Sequence, residues 1–306
     1  MKYIFLLLKG MAMGAANVIP GVSGGTIALI TEIFERLINA IKSFNLHAIK
    51  LLFTGKIKDF IAYTDLYFLI AVFSGVVIAI VSLARLFDYL FENYPVYIWA
   101  YFFGLVLASV YYVGKRIEKI TLAVVITFII GTAIAIMISI MNPATENQNF
   151  FYLLICGVVA ICSMILPGLS GSFVLFIMGN YKLVAIDAIN ERNFEILLPV
   201  LIGAVVGLIA FSHLLSWVFK KYRNETISIL TGFILGSLSI LWPWQNKVFL
   251  TDKLGELILK DGEAVIVSYQ RVLPQDYGMD FWIAILFIVI GIASIWGIES
   301  TAEKKS

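Results

Sequence analysis

Charge is scarce in this sequence. Asp, Glu, Lys and Arg make up 14% of the 306 residues, where a soluble domain carries about 25%. Hydrophobic residues reach 61%, more than a water-covered surface can hide, so the composition reads as an integral membrane protein. The apolar residues come in long runs without period-two alternation, which argues against a transmembrane barrel and against disorder. A net charge of +2 gives no reason to expect a nucleic-acid partner.

Histidine and cysteine are equally sparse, at two each. There is no Walker loop, no HExxH and no cluster of metal-ligating residues, so no metal or other cofactor is expected. Cys156 and Cys162 share one apolar stretch at a spacing that suits neither zinc nor a disulfide framework; they read as packing residues. The N-terminal MKYIFLLLKGMAMG has too short an apolar run before Lys9 for a signal peptide and is expected to be retained.

A span needs about 20 mostly apolar residues. Six segments qualify, at about 66–91, 95–113, 120–141, 196–219, 226–242 and 280–298. Two further stretches, about 3–41 and 150–189, are interrupted by VIPGVSGG and ILPGLSGS. Pro and Gly in mid-stretch free backbone groups that lipid cannot satisfy, so each break must face protein or water.

The two breaks align with each other at an offset of 147. The spans after them align at 128, pairing Gly75 with Gly203, Arg85 with His213, Tyr94 with Tyr222, Gly104 with Gly232 and Ser109 with Ser237. The reading is an internal duplication. Repeat 1 covers 1–145 and repeat 2 covers 146–306, each a re-entrant helical hairpin followed by three transmembrane helices, with a loop at 243–280 that suits a small hairpin or cap. Three crossings per repeat invert the second copy. One side then carries 14 Lys/Arg against 6 Asp/Glu, and the other 6 against 12. Basic excess marks the cytoplasm, so both termini are expected there. The expected fold is an all-α polytopic membrane protein of two inverted-topology repeats.

Inverted repeats with broken helices are the mark of secondary transporters. Ser23-Gly24-Gly25-Thr26 and Ser170-Gly171-Ser172 each open a helical leg whose first N–H groups lack intrahelical partners. Such ends, with hydroxyls beside them, suit a phosphate or carboxylate. The plainer alternative is that the motifs only reverse a hairpin and allow close helix packing. Arg85 offers a permanent planar charge for a phosphate, and His213 a titratable group; the plainer alternative is that both reach water from near helix ends, with Asp88 pairing Arg85. Asn17 either adds an amide to the anion site or caps the turn locally. Glu32 and Glu35 are candidates for proton exchange, as is His213, although Glu32 and Arg36 at i,i+4 also suit a surface ion pair. The spacings Gly104/Ala108, Gly203/Gly207 and Gly232/Gly236 read as helix packing. For hydrolysis, Ser23 or Ser170 near His213 is a poor set without a second histidine, so an enzyme is not expected.

The segments GMAMGAANVIPGVSGGTIALITEIFERL, MILPGLSGSFVLFIMGNY and TGFILGSLSILWPW resemble the bacterial PopT family of undecaprenyl phosphate translocases over nearly the whole chain, apart from 243–280. The resemblance implies paired re-entrant helices in the bacterial cytoplasmic membrane. It also implies undecaprenyl phosphate and bilayer lipid as partners, the C55 carrier being returned to the cytoplasmic leaflet for wall-polymer synthesis. In many members an acidic residue stands where this chain has Asn17, so ion coupling through that place is in doubt here. A small-anion channel or exchanger would use the same Ser-Gly helix ends. A homo-oligomer is left open.

Overall fold

The computed structural model describes residues 2–18, 23–141, 143–249, 259–260, 263–264, 266–274 and 276–303. The first break, at 19–22, lies outside the described residues, and so do the side chains of Arg85 and Asp88.

The chain is mostly helical. The first half runs α1 (Lys2–Val18), α2 (Gly24–Ile30), α3 (Phe34–Lys42), α4 (Leu46–Phe53), α5 (Ile57–Tyr63), α6 (Leu66–Asn93), α7 (Pro95–Gly114) and α8 (Leu122–Ile140). The second begins with α9 (Phe150–Ile165) and α10 (Gly171–Ile177), then a π-turn at Leu183–Asp187 leading into α11 (Ala188–Asn190). It continues with α12 (Phe194–Lys221), α13 (Arg223–Ser237) and α14 (Met279–Glu303). Asn or Thr side chains at Asn45, Thr121, Asn149 and Asn193 accept the first free N–H groups of α4, α8, α9 and α12, and Pro95 opens α7 where no donor is needed.

Five of these helices are long and apolar enough to cross a membrane, within α6, α7, α8, α12 and α14. The sixth expected span, 226–242, is shorter: α13 has 15 residues and ends at Ser237, with turns through Leu241. At 1.5 Å per residue it covers about 22 Å, less than the roughly 30 Å hydrocarbon core. Its length is limited because it is a core element, buried on almost every side by α7 and α8, and ends where Trp242 and Pro243 turn the chain. The apolar stretches of α1 and α9 are shorter than a span as well. The only strands among the described residues lie in 243–280. There β1 (Gln245–Phe249) pairs antiparallel with β4 (Ile266–Arg271), and β2 (Leu259–Lys260) with β3 (Glu263–Ala264), a small β excursion on a helical protein. Between α3 and α6, residues 43–65 hold α4 and α5.

Helix pairing repeats when the halves are exchanged. α1 packs on α6 as α9 packs on α12, and α7 packs on α14 as α13 packs on α8. The contacts correspond residue by residue. A side chain at Gly10 would strike the Val72 carbonyl, and one at Gly157 the Val200 carbonyl; Gly75 faces the Leu7 carbonyl as Gly203 faces that of Leu154. Across the halves, Gly104 meets Ile288 and Gly232 meets Phe128, while Gly131 meets Ile229 and Gly291 meets Tyr101. Glycine lets these backbones approach closely, as the small-residue spacings predict. The hinges match too: Tyr94 and Tyr222 both have φ −135°, with ψ 45° and 59°.

Candidate functional site

The start of α2 is buried and its donors are met by the chain itself. The Asn17 side-chain oxygen accepts from Gly24 N–H (2.8 Å), and Ser23 Oγ accepts from Gly25 N–H (3.1 Å). The Ser23 hydroxyl donates toward the Leu166 carbonyl (3.2 Å), and Thr26 Oγ1 accepts from Gly168 N–H (3.1 Å). The two broken motifs therefore touch in the protein interior. Gly25 fits against the Ile165 carbonyl, where a side chain would collide. At the other end of α2, Arg116 donates to the Leu29 and Ile30 carbonyls (2.8 and 2.7 Å) and Lys9 to Thr31 (2.6 Å), placing cations where a helix end is partially negative.

The second motif differs. Ser170 makes no side-chain cap to α10; its hydroxyl lies 2.8 Å from that of Ser172, and Gly171 packs on Met164. None of Ser170, Gly171, Ser172 and His213 lines a cavity described here. His213 Nδ1 lies 2.8 Å from the Ile209 carbonyl of its own helix. Arg85 lies in α6.

Asn17, Gly24 and Gly25 do line a cavity, a groove of about 650 Å³ between α1, α3, α6, α9 and α12. Its walls are otherwise apolar, including Met13, Phe34, Leu37, Ile38, Leu69, Met164 and Ile165. Ile70, Phe73, Val205 and Ile209 at its rim are exposed, so the groove opens sideways on the apolar flank of the bundle. A single polar end in an apolar trough suits an amphipathic ligand.

Beyond α3 lies a second cavity, about 770 Å³ and polar, which sequence reasoning missed. Arg36, Arg116 and Arg223 line it together with Glu32, Glu35 and Asp65. Arg36 grips Asp65 bidentately (2.6 and 2.9 Å) with its guanidinium over the Phe68 ring; Arg116 reaches Glu32 (3.3 Å), and Arg223 pairs with Glu35. The expected Glu32–Arg36 pair is thus replaced by two longer-range ones, because Glu32 sits in a left-handed turn (φ 62°) that ends α2 before α3 begins. In the sequence Arg36 reads as half of a surface ion pair and Arg116 and Arg223 as loop charges; the fold brings all three to one cavity. A small adjoining pocket of about 220 Å³ shares Glu35, Asn39 and Arg223 with it and adds Ser216 and Lys220. Lys42 donates to Ser216 Oγ (3.2 Å), which donates to Asn39 (2.9 Å).

At the far end of α6 a cavity of about 450 Å³ is lined by Tyr94, Pro95, Tyr97, Trp244, Asp276, Asp280 and Phe281. Tyr97 donates to Asp280 (2.6 Å), and Trp244 stacks on Phe281. Cys156 and Cys162 are free thiols in α9, buried and half-buried. Among the described residues no group of His, Cys, Asp and Glu is arranged to hold a metal ion.

The model of an undecaprenyl phosphate translocase-like family matches residues 13–258. A polyprenyl-phosphate transporter of Vibrio cholerae is 36% identical over 310 residues, covering 99% of this chain and 98% of the relative. One from Staphylococcus aureus is 32% identical over 254 residues, covering 78% and 85%. No solved structure matches. With its apolar helices and these relatives the protein is a multi-pass membrane protein, and the chain belongs to the undecaprenyl phosphate translocase-like family.

Proposed function

We propose that this protein carries undecaprenyl phosphate from the outer to the cytoplasmic leaflet of the bacterial cytoplasmic membrane, recycling the carrier for cell-envelope polymer synthesis. The observation that carries the reading is the sideways-open apolar groove with Asn17, Gly24 and Gly25 at its polar end. The isoprenoid chain stays in apolar surroundings throughout, since removing it from them would cost about 0.8 kcal/mol per CH₂. The phosphate is the part that needs help. Gly24 N–H, now held by Asn17, is a donor that a phosphate oxygen takes over when the amide swings aside. Ser23, Gly25 and Thr26 shape that turn. Arg85 supplies charge, and Ser170, Gly171 and Ser172 provide the matching helix end in the second repeat. His213, Glu32 and Glu35 are the groups available for proton exchange.

The exchangeable helix pairing and matched glycine contacts support two repeats, 1–145 and 146–306, each with a re-entrant hairpin and related by inversion, with both termini cytoplasmic. Rocking of one repeat against the other would open the site to each leaflet in turn. No bond of the substrate changes, so the protein acts as a transporter and not as an enzyme.

Reconstitution in proteoliposomes tests this. Transbilayer movement of undecaprenyl phosphate without flux of chloride or inorganic phosphate is expected, and Arg85→Ala should slow it. Rapid anion flux without lipid movement would select the anion channel or exchanger instead. Unchanged lipid movement in Arg85→Ala removes that residue from the site.

A further inference from the structure

The arginines of the polar cavity play no part in the groove mechanism, yet the cavity and the groove share a wall. Phe34 of α3 lines both, and Ile38 lines the groove and the small pocket that joins the polar cavity through Glu35, Asn39 and Arg223. A headgroup leaving the groove past α3 therefore meets Asn39, Lys220 and Arg223 first, then Arg116 and Arg36.

Each guanidinium is already holding a carboxylate. Carboxylate and phosphate present oxygens to arginine in the same forked geometry, so each carboxylate occupies a place that a phosphate oxygen fits. Glu32 is informative because its backbone is left-handed at φ 62°, a conformation L side chains disfavour. At the offset that aligns the two broken motifs its counterpart is Gly179, at φ 76°. Where the second half uses glycine, the first keeps a carboxylate under strain and points it at Arg116. Strain of this kind persists at functional sites.

We propose that Arg36, Arg116 and Arg223 form a second phosphate station, which receives the headgroup of the isoprenoid phosphate after the groove. Glu32, Glu35 and Asp65 are its internal competitors. The inference rests on the groove carrying an isoprenoid phosphate. Three unopposed arginines would hold a phosphate dianion too tightly to let it go, and a transport site must release what it binds. Carboxylates that reclaim the guanidinium groups supply the release. The exchange also loosens α3, since Arg223–Glu35 and Arg116–Glu32 tie its N-terminal end to the start of α13 and the end of α7.

The test uses the purified full-length chain in detergent, with farnesyl phosphate, farnesol and inorganic phosphate as probes and calorimetric binding as the readout. Arg223→Gln should weaken farnesyl phosphate binding about tenfold, the worth of one charge-assisted hydrogen-bonded contact, and Arg223→Lys should restore part of it. Glu35→Gln should tighten binding several-fold while slowing transbilayer movement in proteoliposomes. A merely structural ion pair is broken equally by either change, so Arg223→Gln and Glu35→Gln shifting binding in the same direction, or not at all, overturns the station; thermal unfolding confirms that both fold. Wild-type protein binding farnesol as tightly as farnesyl phosphate overturns the groove reading and this inference with it. Wild-type discrimination with the two variants moving together overturns only the station. Inorganic phosphate bound as tightly as farnesyl phosphate would assign the arginines to free phosphate and overturn the headgroup role.

Discussion

At one end of the bundle Arg116 and Arg223 face a cavity shared with Glu32, Glu35 and Asp65; at the other, the residues in register with them are Trp244 and Pro95, in a cavity walled by aromatic rings and two aspartates. Deeper in, the same contrast recurs. Asn17 packs on Gly24 where the matching pair is Met164 on Gly171, and Glu32 occupies the left-handed turn that Gly179 occupies in the second half. The glycine crossings show no such divergence. The glycine packing is matched between the halves, while arginines from both halves gather at one end of the bundle. Under the proposed transport of a single charged headgroup one strong phosphate end suffices, and two equal ends would hold it equally on both sides.

The comparison can be broken first at what the halves share. Gly104→Val and Gly232→Val should each force backbones apart and cost about 3 kcal/mol, read as equal falls in the unfolding temperature of the solubilised protein. A loss confined to one would end the correspondence. Next comes Arg116→Ala, which strips the Leu29 and Ile30 carbonyls of their donor. It should cost about 2 kcal/mol, and Arg116→Lys should recover less than half because a lysine cannot fork to both carbonyls. A smaller difference is expected at the two turns. Asn17→Ala leaves Gly24 N–H unmet and should cost about 1 kcal/mol, while Ser170→Ala, which removes no cap, should be close to neutral by the same melting assay. The smallest effect tests the strained turn. Glu32→Gly should gain about 0.5 kcal/mol net by relieving a left-handed residue, whereas Gly179→Ala should be destabilising, both from the left-handed backbone and because its side chain would strike the Ala144 carbonyl. Equal signs for the two would mean the turns are not equivalent.

Much of this fold is written in runs and repeats. Long apolar segments specify α6, α7, α8, α12 and α14, with Pro95, Thr121 and Asn193 marking the starts of α7, α8 and α12, since length and hydropathy suffice for a helix that faces lipid. α13 escaped because burial by protein and burial by lipid leave the same apolar signature, and only neighbours tell them apart. The paired Pro-Gly motifs were legible, and so was Asn17 beside the first. The arginine cavity was not. Arg36, Arg116 and Arg223 are far apart in sequence, and neither the i,i+4 spacing of Arg36 nor the loop-like setting of the other two shows that they line one cavity. Nor could spacing show that Ser23 and Thr26 spend their hydroxyls on the other half, because that depends on where Leu166 and Gly168 come to lie.

The sideways opening of the groove bears on what such a protein is able to measure. A closed pocket compares the whole of its ligand with its own outline. A trough of about 650 Å³ whose rim is the exposed Ile70, Phe73, Val205 and Ile209 encloses only the stretch next to the headgroup. Under the proposed binding, the remainder of a long isoprenoid would hang outside, unread. Discrimination should then fall on the phosphate and the first isoprene units, and carriers of different length that share that beginning should be handled alike.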